Sequence, residues 1–361
     1  MEQSSPQALA HSDFLENAII FKEKYELANF ILVGDERYSK RKLKGYSSRA
    51  CRFCRRSYPD VPFSNYSHLL PQLIGNSNMY SDFECDECNA FFSGLENDLA
   101  AFLGISRSIV GLQEEKKAPS FVARGVRAKS RSFIGENILI LAPEDIKSKG
   151  NTATISYTKN PYTPSNVYKA LLKSALSLLD DLIIKEKYQN ASNYLMGKID
   201  LNKGAVIRGY RLSFSSNIPL HVFCFRKKFK EDNIPEHVIC FNFRDHIIAL
   251  PLLSDAWKDW NIIIPPPYFL NEAIMHSAMP VPYFRDLSST TQVLDEEETF
   301  TIQLDTNVSE NTWCYDPLTD KHEQKPHNLD DLQYMVIARN GVTIDPKELS
   351  AFIDKQMNGG G

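Results

Sequence analysis

Cys51-Arg52-Phe53-Cys54 and, after 30 intervening residues, Cys85-Asp86-Glu87-Cys88-Asn89 are the stretches on which the reading of this chain turns. Two CxxC pairs supply four thiolates, the number and ligand type that tetrahedral zinc prefers. Each pair makes a tight turn that aims two sulfurs at one point. The chain has seven cysteines, an odd number. Cys224 and Cys240 sit in strand-like apolar runs and read as buried thiols, and Cys314 stands apart from every other cysteine. In a reducing compartment the paired pattern favours metal over disulfides. A redox CxxC usually stands singly near a βαβ unit, which is not the case here. The expectation is one structural Zn²⁺ held by Cys51, Cys54, Cys85 and Cys88.

The residues between and after the pairs sharpen this. Ser67-His68-Leu69-Leu70-Pro71 begins its histidine 14 residues after Cys54, Ile74-Gly75-Asn76 follows, and Asn89 comes directly after Cys88. With this set the stretch from about residue 45 to 105 resembles the zinc-stapled HNH endonucleases of the ββα-metal superfamily. The resemblance implies a β-hairpin carrying His68 as general base and a following helix carrying ligands for a catalytic divalent ion, Mg²⁺ or Mn²⁺. Asn89 is the first such ligand and a catalytic residue. Glu96, seven residues on and on the same helical face, is the second. Asn97 and Asp98 are neighbours able to substitute. Two positions depart from the commonest family pattern. Ser67 stands where many members carry a metal-binding Asp, and the middle Asn that pins the hairpin loop is left among Asn76, Asn78 and Asp82. The implied activity is hydrolysis of phosphodiester bonds in DNA. The alternative is a zinc-stabilised nucleic-acid-binding or protein-interaction module that does not cut.

Charge fits a nucleic-acid partner locally rather than globally. The chain of 361 residues has a net charge of −4, which excludes a protein that coats nucleic acid over its whole surface. Nine Lys/Arg lie between 37 and 56, among them Arg41, Lys42, Lys44, Arg52, Arg55 and Arg56, and six more between 116 and 131. Such runs bind phosphates with counterion release, and the interleaved Tyr38, Tyr46, Phe53 and Tyr58 offer rings for stacking on bases. No run of about 18 apolar residues predicts a membrane span, and Met1 to Pro6 lacks the start of a signal peptide, so the expectation is a cytoplasmic protein with no membrane partner.

The fold class read from the sequence is α+β: a small zinc-stapled ββα-metal domain plus a larger mixed α+β C-terminal domain. The divisions are an N-terminal helical segment at 1–34, the HNH domain at 35–135 and the C-terminal domain at 136–361. Helices are predicted over Phe14–Ala28, over Asn89–Leu103 with Phe92, Leu95, Leu99 and Leu103 on one face, and over 164–183. Strands are predicted at 137–141, 152–157, 206–214, 218–225, 236–243 and 245–251. His221, His237, His246 and His276 lack ligand spacing and read as structural. Trp257, Trp260 and the run Ile262 to Pro267 have the character of a pocket lining or a protein contact, but read more simply as core and turn. For the C-terminal domain, analogy with regulated host-defence nucleases implies sensing of a trigger, contact with a regulatory partner, or assembly into a homo-oligomer.

Overall fold

The computed structural model describes residues 19–32, 50–110, 120–134, 136–144, 146–149, 152–200, 204–212, 218–230, 233–252, 254–255, 281–303, 311–316, 321–326, 335–338, 345, 348–349 and 351–353. The fold is mixed α+β, and its sheets are antiparallel. In chain order a short helix α1 (19–24) leads into β1 (Tyr25–Leu32), then β2 (Ser67–His68) and β3 (Tyr80–Ser81). Helices α2 (Asp86–Leu103) and α3 (Ser106–Val110) follow, then β4 (Phe121–Ala123), β5 (Val126–Phe133), β6 (Glu136–Pro143), β7 (Ile146–Lys149) and β8 (Thr152–Thr158). Next come α4 (Pro164–Leu178), α5 (Asp181–Lys187) and α6 (Gln189–Leu195). Strands β9 (Val206–Arg211), β10 (Ile218–Lys227), β11 (His237–Arg244), β12 (His246–Pro251) and β13 (Val281–Asp286) complete the middle of the chain. The last strands are β14 (Glu297–Gln303), β15 (Asn311–Asp316), β16 (Lys321–Pro326) and β17 (Met335–Ala338).

Two compact units interleave along the sequence: residues 1–104 with 161–294, and residues 105–160 with 295–361. The sequence divisions at 34/35 and 135/136 follow composition and do not coincide with these edges, because each unit is closed by strands that return from far along the chain. In the second unit β14 pairs with β8 along its whole length, and β17 pairs with β6. There Phe133, Ile138 and Ile140 form a small core with Val336, Ala338 and Phe352 packed against it.

In the first unit a six-stranded sheet has the order β1-β10-β11-β12-β9-β13. Both of its faces are covered. Val222, Cys224, Ile239, Phe241, Ile248 and Leu250 face the core that holds α4, while Phe223, Phe225, Val238, Cys240 and Ile247 face Phe21 and Tyr25. This is why β11 and β12 are apolar without alternation: every residue in both strands is buried. Their turn is tight, with Arg244 in the left-handed region at φ 54°. Gly209 of β9 permits the approach of β12, since a Cβ there would stand 2.0 Å from the Ile247 carbonyl oxygen.

The helix expected over Phe14–Ala28 is corrected within its described part. Residues 19–24 are helical, but from Tyr25 the chain pairs in register with β10, and the sheet edge overrides the weak helical spacing of Glu26 to Ala28. The helix expected over 164–183 ends at Leu178 and restarts as α5, with the cap residues Leu179 and Asp180 extended between them. Cys224 and Cys240 are buried thiols as expected, and burial pushes the Cys224 thiol up to about 12. Cys314 lies in β15. His276, Trp257, Trp260, and the Ile262 to Pro267 run lie outside the described residues.

His237 is structural, as expected: it is buried, and its Nδ1 lies 2.6 Å from the Tyr188 hydroxyl. Burial pulls its imidazole down to about 4. The unfolded side chain titrates near 6.5, so unfolding takes up a proton in the window between these values. The stability is therefore present above that window and lost as the pH falls through it. Denaturant unfolding at about pH 7 and pH 5 should show a loss of about 2 kcal/mol from this group at the lower pH. His237→Gln should remove that part of the pH dependence; a variant with an unchanged difference between the two pH values contradicts the assignment.

Candidate metal centre and the hairpin beside it

The first cysteine pair is shaped by its own backbone. The Cys51 N–H donates to the Arg56 carbonyl at 2.8 Å, the Arg55 N–H donates to the Cys51 carbonyl at 3.0 Å, and Arg55 takes a left-handed φ of 66°. The second pair belongs to a helix start. Cys85 is the extended N-cap of α2, its carbonyl accepts from the Asn89 N–H at 2.9 Å, and Cys88 lies three residues on, over the same turn. The loop before it is tied down by Asp86, whose carboxylate accepts from the Ser64 and Asn65 N–H groups at 3.0 Å each.

The four sulfurs lie within 4.8 Å of one another. Cys51 Sγ and Cys88 Sγ are 3.7 Å apart, and Cys54 Sγ and Cys85 Sγ are 3.8 Å apart. Four thiolates bound at about 2.3 Å around a tetrahedral ion stand about 3.8 Å from each other. The group can therefore hold a structural metal ion such as zinc. The Cys88 thiol donates to Cys51, and with backbone N–H groups this lowers the Cys51 thiol to about 4, while burial pushes Cys85 up to about 11. The N-terminal end of α2 adds positive potential at the same point. Metal binding would displace the protons that the other thiols retain.

The stretch between the pairs forms a short hairpin. Ser67 pairs with Ser81 and His68 with Tyr80. Successive residues point to opposite faces, so Ser67 and Ser81 are buried while His68 and Tyr80 are half-buried, their rings 4.8 Å apart. Of the three residues to which the sequence left the loop-pinning role, Asn76 performs it. Its side-chain N–H₂ donates to the Leu70 and Met79 carbonyls at 2.7 and 2.9 Å, and its Oδ1 accepts from the Met79 N–H at 2.9 Å. Gly75, at φ 111°, ends the preceding 3₁₀ turn.

The residue that sequence reasoning missed is Lys173. It lies in α4, 3% exposed, with its Nζ 2.6 Å from the His68 carbonyl oxygen and 3.1 Å from the carboxylate of fully buried Glu84. The ammonium also stands 5.8 Å from the centroid of the Phe92 ring of α2. Burial raises the Glu84 carboxyl to about 7 against the opposing pull of Lys173. The available signal was a lysine set among apolar and small residues of the helix, in Ala170-Leu171-Leu172-Lys173-Ser174-Ala175-Leu176.

Asn89 and Glu96 lie on α2, both half-buried, and burial raises the Glu96 carboxyl. Asp98 is engaged elsewhere: it accepts from the Thr163 N–H at 2.6 Å and from Asn166 at 3.1 Å, securing the start of α4. Among the described residues the four cysteines are the only group in which three or more His, Cys, Asp or Glu ligand atoms converge. Asn89 and Glu96 are seven residues apart, two turns along one face of α2.

Of the cations expected to meet nucleic acid, Arg41, Lys42 and Lys44 lie outside the described residues, as do Tyr38 and Tyr46. Arg52 turns inward. Its Nη1 donates to the Leu176, Ser177 and Leu179 carbonyls at the end of α4, and its guanidinium lies 3.6 Å from the Phe83 ring centroid. It caps a helix, which removes it from the phosphate-binding set. Arg55 pairs with Asp181 at 3.1 Å and Arg56 with Glu87, both at the surface, where such pairs exchange readily. Phe53 is buried against Phe92 and is withdrawn from base stacking, whereas Tyr58 is 47% exposed. In the second basic run Arg127, Lys129 and Arg131 alternate along one face of β5. None of the described helices is long and apolar enough to cross a membrane.

No protein-family model, curated protein or solved structure matches this chain.

Lys173→Met should leave buried Glu84 without its partner, drive its carboxyl to the neutral form, strip the His68 carbonyl of its donor, and cost about 2–4 kcal/mol of stability. Asn76→Ala should cost about 2–4 kcal/mol, because the Met79 N–H and two carbonyls lose their partner inside the loop. Urea unfolding measures both; a loss under about 0.5 kcal/mol for either contradicts its assigned role.

Proposed function

We propose that the chain is a metal-dependent HNH endonuclease that hydrolyses phosphodiester bonds in DNA, with His68 as general base. The reading is supported by three elements that follow one another along the chain: the hairpin bearing His68, the Asn76-pinned loop, and α2 bearing Asn89 and Glu96. The cysteine cluster ties the turn before the hairpin to the start of that helix.

The neutral imidazole of His68 accepts a proton from the attacking water, a role suited to a group whose ordinary pKa is near 6.5. The Lys173 hydrogen bond to the His68 carbonyl holds the strand and thereby the ring. Tyr80 beside it restricts the ring's tilt. Asn89 and Glu96 are the residues that would hold Mg²⁺ or Mn²⁺, which when bound supplies positive charge for the phosphate and leaving oxygen. Arg55, Arg56 and the exposed Tyr58 remain as contacts for the nucleic-acid strand. The second reading, a nucleic-acid-binding module that does not cut, is favoured by one feature: Ser67 presents no carboxylate, and its side chain faces the core.

Purified full-length protein incubated with plasmid DNA and Mg²⁺ or Mn²⁺ should nick or linearise it, and His68→Ala should lower the rate at least about 100-fold. Salt-sensitive binding with no cutting by wild type would favour the second reading. Equal cutting by wild type and His68→Ala would overturn the role of the histidine.

A further inference from the structure

A cavity of about 640 Å³ lies at the N-terminal half of α4, and Lys169, Tyr194, Asp200, Asp286, Ser288 and Ser289 contribute to its wall. That volume falls in the range of small-molecule sites. Lys169 stands 4.7 Å from the Tyr194 ring centroid and makes no ion pair among the described residues. Tyr194 is 2% exposed, and its hydroxyl has no hydrogen-bond partner. A buried hydroxyl without a partner is costly unless something satisfies it.

The two serines have fixed roles. Ser288 Oγ accepts from the Ala205 N–H at 3.2 Å, and Ser289 Oγ accepts from the Thr291 N–H at 3.1 Å. Their oxygens are thus already engaged from the backbone, and their hydroxyl hydrogens are left to donate. Lys169, Tyr194 and both serines together form a donor-rich wall, complementary to an oxyanion. The opposite need is set by Asp200, which is exposed, and by Asp286, whose Oδ1 accepts from the Ser288 N–H at 2.9 Å and whose second oxygen is left for a ligand. Carboxylates there accept from hydroxyls and repel a second anionic group.

We propose that this cavity binds a ribose phosphate, with the phosphate on Lys169, Tyr194 and the serine hydroxyls and the sugar hydroxyls on Asp200 and Asp286. A free sugar phosphate and a nucleoside monophosphate share this chemistry. The site stands whether or not the chain cuts DNA. It has a path to the hairpin, because Lys169 lies one helical turn before Lys173 on α4.

Calorimetric titration of the full-length protein tests this with ribose 5-phosphate and adenosine 5′-monophosphate as probes, against ribose and inorganic phosphate alone. Ribose 5-phosphate should bind at least about tenfold more tightly than either half. Lys169→Gln and Tyr194→Phe should each weaken it by about tenfold. Asp200→Asn, at an exposed position that leaves folding intact, should reduce the preference for ribose 5-phosphate over inorganic phosphate. Tighter binding of the nucleotide assigns the site to nucleotides, and tighter binding of the sugar phosphate assigns it to free sugars; either supports the proposal. No heat from either probe up to about 10 mM, or equal affinity in Lys169→Gln, overturns it.

Discussion

Four sulfurs drawn within 4.8 Å of each other constrain everything around them. Three buried thiols and one half-buried thiol have little reason to converge for packing alone, and four thiolates without a cation would repel strongly. A bound metal resolves both problems and ties two distant segments, the turn at 51–54 and the start of α2, to one point. The pinned loop and the short hairpin between them bury few large apolar side chains of their own: Leu69, Leu70, Pro71, Ile74 and Met79. A hairpin with two residues per strand is not stable by itself. It depends on the cysteine cluster at its base, on Asn76 within the loop, and on Lys173 from α4.

Lys173 changes how the middle of the chain is understood. A buried lysine paired with a buried glutamate is seldom a net gain in stability over a well-packed apolar pair. Its geometry suggests specificity instead, since one ammonium fixes the hairpin strand through the His68 carbonyl and the segment before Cys85 through Glu84. Arg52 answers it from the other direction, leaving the cysteine turn to cap the end of the same helix. The cysteine-bearing region and α4 therefore share one hydrophobic core, which runs from Phe53 and Phe92 through Leu171 and Leu176 to Phe241.

Much of this was legible in the sequence, for identifiable reasons. Local signals carried the α+β class, the cysteine cluster, the face of α2 and the strands β6, β8, β11 and β12, because CxxC spacing and apolar periodicity are properties of adjacent residues. Long-range pairing was not legible. The strand at Tyr25–Leu32 exists because β10 offers it an edge two hundred residues away, and the interleaved units exist because β14 and β17 return to β8 and β6. Charge was legible as composition but not as placement: Arg52 belongs to a run that reads as a cationic surface, yet it points into a helix end. Asn76 could be narrowed from three candidates to one only by its hydrogen bonds, since Asn78 carries the same amide and Asp82 an oxygen able to accept from a backbone N–H, and both lie only a few residues away.

X-ray absorption at the zinc edge of the purified protein tests the central claim most directly. One zinc per chain, with four sulfur neighbours at about 2.3 Å and no nitrogen or oxygen in the first shell, is the expected result. A folded protein that carries no metal, or a zinc bound by fewer than four sulfurs, would contradict the account.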